Sequence, residues 1–158
     1  MYNACTQKPP FDFSPKMHAQ YLALCDKHVA EHVLPALRSG ARGEALLRQL
    51  LSRWDRHVVV VRRLSRYFNY LDRYYVRRHA LPPLHNAGEG CFGTGVRGEP
   101  GLERALADAA AELAQRQRGG EQVDAELASK VAEVLELLGL SAPDKQHKAH
   151  PAAAAVPE

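Results

Sequence analysis

Cysteine is scarce in this sequence, and its distribution argues against a disulfide-stabilised fold. Cys5, Cys25 and Cys91 are the three cysteines in 158 residues, and no two of them form a CxxC pair. An odd number of widely separated cysteines provides no disulfide framework and is typical of a reducing compartment. We therefore expect a protein of the cytoplasm and nucleus.

Long apolar runs are missing as well. No stretch approaches the roughly 18 apolar residues of a membrane-spanning helix. The opening MYNACTQKPP has no basic start followed by an apolar core, so we do not expect a signal peptide. The alternation of apolar and polar residues that is typical of β-strands is also absent. These absences predict no membrane partner and no β-sheet.

Patterns that indicate catalysis or metal binding are equally hard to find. No Ser/His/Asp or Cys/His set has an interpretable spacing, and no GxxxxGK[ST] phosphate loop occurs. Cys25, His28 and His32 share one helical face and could bind zinc, but a fourth ligand is missing. Ordinary surface or half-buried residues are the simpler interpretation. We expect no enzyme activity, no cofactor and no metal site.

The abundant residues are leucine, alanine, valine, arginine, glutamate and glutamine, which favour helices. Ser14-Pro15 predicts a helix start, and apolar spacing continues to about Leu37, with Pro35 bending or closing that helix. Four further helices are predicted over about 44–56, 58–79, 102–117 and 124–138.

Glycine and proline mark the predicted breaks. Seven of the sixteen residues in 86–101 are glycine or proline, which predicts a loop there. Gly139 is the predicted C-terminal cap of the last helix. Residues 141–158 have alanines without apolar periodicity and are predicted to be a disordered tail.

The segment 58–79 combines aromatic and basic residues. Its apolar and aromatic side chains cover about half of the helical circumference, which is wider than the stripe of somewhat over 100° that packs on a single core. The residues of that arc are Val60, Val61, Leu64, Tyr67, Phe68, Tyr70, Leu71, Tyr74 and Tyr75. The arginines that occupy most of the other half are Arg62, Arg63, Arg66, Arg73 and Arg77.

Three interpretations of this segment remain open. It is a fully packed core helix with a solvated basic face, or its aromatic flank contacts a second protein, since aromatic residues and arginine are enriched at interface hot spots. The alternative function is a basic helical nucleic-acid-binding module, with arginines on phosphates and rings on bases. Against that alternative, the rings share one arc with the core leucines.

Residues 46–84, LLRQLLSRWDRHVVVVRRLSRYFNYLDRYYVRRHALPPL, resemble the corresponding part of the cullins. The similarity is strongest to plant cullins that pair with Skp-type adaptors. The distinctive parts are Trp54, the RLSRYFNYLDRYYV run and Leu81-Pro82-Pro83-Leu84. MYNACTQKPP, VLPALR, Cys91-Phe92 and GGEQVDAEL resemble neighbouring parts of the same region in the same order, so the resemblance covers about residues 1–140.

The resemblance implies an all-α helical bundle. Residues 1–140 would form a partial cullin N-terminal region, the first repeat and the start of the second, before the tail at 141–158. It implies a truncated, non-catalytic fragment that docks a Skp-type adaptor, and through it F-box proteins, in a Skp-cullin-F-box ubiquitin ligase for ubiquitin-dependent protein degradation. No RING-box binding is expected. The partner-binding residues carried over by position are Tyr2, Tyr70, Asp72, Arg73 and Tyr75.

Overall fold

The computed structural model describes residues 12–140, and all regular structure in that range is helical. This confirms the all-α prediction. Tyr2 and the tail at 141–158 lie outside the described residues. The α-helices are α1 (Ser14–His28), α2 (Leu34–Leu37), α3 (Gly43–Tyr67), α4 (Asn69–Leu71), α5 (Leu84–Arg97), α6 (Leu102–Arg118) and α7 (Ala125–Leu137), with π-helical segments at Val29–Val33 and Asp72–Val76.

The first helical run, residues 14–37, is interrupted before Pro35, and the spacing of its buried residues explains the interruption. Its buried residues recur every four positions: Tyr21, Cys25, Val29, Val33 and Leu37. In an α-helix of 3.6 residues per turn, a four-residue repeat drifts by about 40° at each step. The π-helical segment Val29–Val33 makes a wider turn, which keeps Val29 and Val33 in the core. The expected interruption near Pro35 therefore takes the form of a π-helical turn.

The predicted boundary between two helices near residue 57 is wrong, because α3 runs unbroken from Gly43 to Tyr67. Its buried residues keep helical spacing through that point, and no glycine or proline intervenes. The break comes instead at Phe68, whose φ of −95° and ψ of 20° leave the helical region. The buried residues of α3 are Leu46, Leu47, Leu50, Trp54, His57 and Val61.

The predicted loop over 86–101 is also wrong, because most of it forms α5. Two of its glycines, Gly88 and Gly95, lie where other helical segments approach closely. A Cβ atom on Gly88 would lie 2.6 Å from Tyr21 Oη and 2.9 Å from a methyl of Val61, and one on Gly95 would lie 2.5 Å from a methyl of Val29. Burial of the neighbouring Phe92 outweighs the low helix propensity of glycine.

Two hydrophobic clusters hold the helices together. The larger cluster joins α3, α5, α6 and α7 around Leu47, Leu50, Phe92 and Leu106. The second cluster consists of Tyr21, Cys25, Val61, Leu71, Val76 and Leu84. Within residues 12–140, no helix is both long and apolar enough to cross a membrane.

Candidate partner-binding surface

The aromatic segment, residues 67–79, lies over the second cluster and includes four of the five predicted partner-binding residues. Tyr67 has 71% of its surface exposed and Tyr70 has 38%. The ring of Tyr70 lies parallel to that of Tyr74, at 2°, with centroids 6.3 Å apart. Tyr74 and Tyr75 are half-buried. The aromatic side chains of this segment therefore do not all belong to the core.

The π-helical segment Asp72–Val76 decides which side chains face inward. Leu71 and Val76 are buried although they are five residues apart. That spacing fits a π-helical turn, whose hydrogen bonds join residues i and i+5. The core interpretation thus holds for Leu71 and Val76, while Tyr67 and Tyr70 remain accessible to another molecule.

Asp72 has a structural partner within the chain. One oxygen of its carboxylate accepts a hydrogen bond from the backbone N–H of Leu84 at 3.0 Å. Leu84 is the first residue of α5, where backbone N–H groups lack helical partners and a negative charge is favoured. Asp72 therefore caps α5 from a separate segment of the chain.

The backbone carbonyl of Leu84 is held by a hydrogen bond from Tyr21. The Tyr21 hydroxyl donates to the carbonyl oxygen of Leu84 at 2.7 Å and lies 3.1 Å from the hydroxyl oxygen of Ser65. Burial raises the pKa of Tyr21, so the hydroxyl stays protonated. These bonds join α1, α3 and α5 beneath the aromatic segment. Sequence reasoning missed this junction, since its only local signal is the Pro82-Pro83 start of α5.

Tyr75 is also engaged inside the protein. Its half-buried ring packs against the second cluster. The ring centroid lies 5.5 Å from that of His18 on α1 and 4.5 Å from that of His79. Tyr75 therefore helps to hold the aromatic segment against α1, and only part of its ring is accessible to a partner.

The structure brings Tyr70, Asp72, Arg73 and Tyr75 together but distinguishes their environments. Tyr70 and Arg73 are exposed, whereas Asp72 and Tyr75 make the internal contacts described above. A substitution at either of the latter two changes folding as well as any contact with a partner.

Two of the three residues considered for zinc, Cys25 and His28, make other contacts in the structure. Within residues 12–140, no three His, Cys, Asp or Glu side chains are placed to hold a metal ion. Cys25 is buried in the second cluster, and the His28 ring stacks on His57 at 5.5 Å and 20°. His57 itself is fully buried, with Nε2 2.8 Å from the carbonyl oxygen of Gly88.

Comparison with known proteins extends the resemblance beyond these segments. The family model described as the Cullin alpha solenoid domain matches residues 1–151. Cullin-1 of Oryza sativa subsp. japonica is 39% identical over 144 residues, which are 91% of this chain and 19% of that protein. Cullin-2 of Arabidopsis thaliana is 39% identical over 134 residues, which are 85% of this chain and 18% of that protein.

A shorter relative also matches. Cullin-like protein 3 of Arabidopsis thaliana is 34% identical over 133 residues, which are 84% of this chain and 49% of that protein. No solved structure matches the chain. The chain spans about a fifth of the length of the two longer plant cullins that it resembles.

Proposed function

Because the chain belongs to the cullin family, we propose that it acts as a non-catalytic scaffold element that docks a Skp-type adaptor of a ubiquitin ligase. Through the adaptor it would hold F-box proteins. The docking surface is the exposed part of the aromatic segment, centred on Tyr67, Tyr70 and Arg73. Its function is therefore to bind, and the chemistry of ubiquitin transfer belongs to its partners.

The observation that carries this proposal is the exposure of neighbouring tyrosines beside an arginine. Six large hydrophobic side chains are exposed among the described residues, and Tyr67 and Tyr70 are two of them. Tyrosine and arginine are among the residue types enriched at the energetic centres of protein interfaces. The segment beneath is held by Leu71, Val76 and the bonds to Leu84, so the rings are presented on a packed support.

Calorimetry with a purified Skp-type adaptor tests the docking surface. We expect Tyr70→Ala to weaken binding by about 2 kcal/mol, roughly thirtyfold in Kd, because truncating a central interface aromatic commonly has that effect. Arg73→Ala should weaken binding in the same direction. Leu137→Ala is the matched control, since Leu137 is an exposed apolar residue of α7, with 64% of its surface accessible.

A second control is Arg48→Ala. Arg48 forms exposed ion pairs with Glu44 and Asp124, and exposed pairs contribute little to stability. Unchanged affinity in Tyr70→Ala and Arg73→Ala, with helicity intact by circular dichroism, would remove the aromatic segment from the interface.

Asp72 and Tyr75 require a different design because both contribute to the fold. Asp72→Ala removes the acceptor for Leu84 N–H, so a loss of binding there would not identify a contact. Asp72→Asn keeps an oxygen that can accept this bond and removes only the charge. Weaker adaptor binding by Asp72→Asn at unchanged thermal stability would assign the carboxylate to the interface.

A further inference from the structure

Five exposed arginines lie in and beside the docking surface. Within residues 12–140 none of them forms an ion pair. We call this set the basic stripe; it consists of Arg62, Arg63, Arg66, Arg73 and Arg77.

Some other arginines of the described residues do form ion pairs with nearby acids. Arg38 pairs with Glu99, Arg48 with Glu44, and Arg116 with Glu121. Over residues 62–77 there are five arginines and one acid, a formal +4, whereas the whole chain carries +3. The single acid is Asp72, whose carboxylate is occupied at Leu84 N–H. The positive charge is therefore concentrated beside the docking surface.

Within the described residues, no ion pair of the basic stripe stabilises the fold. Arg62 and Arg66 are four residues apart on the α-helix α3. Like charges at this spacing on a helix repel each other. A set of repelling, exposed arginines next to accessible tyrosines is accounted for by a binding partner that neutralises them.

We propose that the partner presents a cluster of aspartate and glutamate carboxylates to the basic stripe. This inference rests on the proposed docking function and names the chemistry of the docked face. Exposed charges mainly accelerate encounter and are screened by salt, whereas central aromatics slow dissociation. The arginines therefore set the association rate, and Tyr67 and Tyr70 set the dissociation rate.

The arrangement of the rings favours an acidic protein over a nucleic acid. Bases bind by stacking on accessible aromatic faces. Tyr70 and Tyr74 instead lie parallel to each other, and Tyr67 meets Phe68 edge-on, with centroids 5.5 Å apart at 71°. Part of each ring is thus covered by a neighbouring ring, which leaves less free aromatic face for base stacking, while all five arginine side chains of the stripe are exposed.

Stopped-flow kinetics with a purified Skp-type adaptor tests the proposal at 25, 100 and 400 mM NaCl. The association rate of the unaltered chain should fall at least tenfold across this range. Arg66→Glu should lower the association rate at 25 mM NaCl about tenfold and change the dissociation rate less than twofold. Arg66→Lys should retain the rate, because it retains the charge. Tyr70→Ala should show the opposite pattern, with faster dissociation.

Arg104→Glu is the matched control. Arg104 is exposed on α6 and forms no ion pair within residues 12–140. Its reversal should change the association rate less than twofold. An association rate that is independent of salt, with Arg66→Glu equal to Arg104→Glu, would overturn the acidic-partner proposal and leave adaptor docking intact.

Two other outcomes are decisive. Complete absence of adaptor binding overturns the docking function, and this inference with it. The chain is also tested for binding to a 20-nucleotide polyuridylate. If Arg66→Glu abolishes that binding but leaves the association rate with the adaptor unchanged, the basic stripe is assigned to nucleic acid. The proposal is supported if the association rate with the adaptor falls in Arg66→Glu and is retained in Arg66→Lys, while binding of the polyuridylate does not depend on residue 66.

Discussion

Gly88 and Gly90 lie two residues apart on α5 but in opposite surroundings. A Cβ atom on Gly88 would approach Tyr21 Oη to 2.6 Å, whereas nothing lies within 4 Å of one on Gly90. We expect Gly88→Ala to destabilise the protein by about 1–3 kcal/mol through overpacking. Gly90→Ala should stabilise it by about 0.5–1 kcal/mol, because alanine favours the helix. Urea unfolding measures both, and equal effects would disprove the close packing of α5.

His57 is a residue whose burial makes stability depend on pH. Burial lowers its pKa, with the nearby His28 acting in the same direction. Nε2 bonds to Gly88, and Nδ1 has no hydrogen-bond partner among the described residues. Protonation in the folded state is therefore unfavourable, while the unfolded chain takes up the proton near the ordinary value of 6.5.

The sign of the pH effect follows from this difference. Below about pH 6.5 the unfolded chain binds more protons, so stability is complete above that pH and decreases as the pH falls. The slope reaches about 1.4 kcal/mol per pH unit for one group. His57→Gln keeps a donor for Gly88 without titrating and should flatten the dependence between pH 6.5 and 5. An identical slope in His57→Gln would assign the effect to other groups, of which His28, with a pKa lowered by burial, is the first.

At the scale of helices, the elements with complete local signals were predictable. The predicted helices at 102–117 and 124–138 correspond to α6 and α7. Asp124 caps α7 by accepting from the N–H groups of Glu126 and Leu127, and Gly139 adopts a φ of +66° as the chain leaves the helix. Apolar spacing and terminal residues suffice where both indicate the same helix.

The elements that were not predictable depend on contacts between distant residues. Gly88 and Gly95 of α5 resemble loop residues in sequence, but Tyr21, Val61 and Val29 occupy the space beside them in the structure. The two π-helical segments have no simple sequence signature. They allow buried residues that are four or five positions apart, such as Leu71 and Val76, to face the same core.

The location of the candidate site was predictable from the sequence, but the long-range contacts of its residues were not. Composition and resemblance locate the aromatic segment, and Tyr70 and Arg73 are exposed there. Sequence alone gave no indication that Asp72 caps α5 or that Tyr75 packs against His18, because both contacts involve residues more than ten positions away.

For the molecule as a whole, the two clusters separate stability from recognition. The larger cluster includes Trp54, Phe92 and the buried residues of α6 and α7, and it contains none of the aromatic segment. The second cluster holds that segment from below through Leu71 and Val76. Substitutions at the strongly exposed Tyr67 and at Arg73 should therefore change binding while leaving the free energy of unfolding within about 0.5 kcal/mol, as is usual for exposed sites.

A chain that binds an adaptor without catalysing transfer should act as a competitor. We expect the 158-residue chain to slow substrate ubiquitination when it is added to a reconstituted Skp-cullin-F-box ligase built on a full-length cullin, because both compete for one adaptor surface. Half-inhibition should require about thirtyfold more of Tyr70→Ala than of the unaltered chain, in proportion to its weaker binding. Leu137→Ala should inhibit like the unaltered chain.

The same assay tests whether the chain supports transfer by itself. With the 158-residue chain in place of the full-length cullin, we expect no substrate ubiquitination, because the proposed function is adaptor docking alone. Transfer under those conditions would contradict that expectation. Equal inhibition by Tyr70→Ala and the unaltered chain would instead show that competition does not pass through the aromatic segment. The chain acts as a docking element if Tyr70→Ala raises the concentration needed for half-inhibition and the chain itself supports no transfer. Its recognition surface is then the aromatic segment that packs on the second cluster.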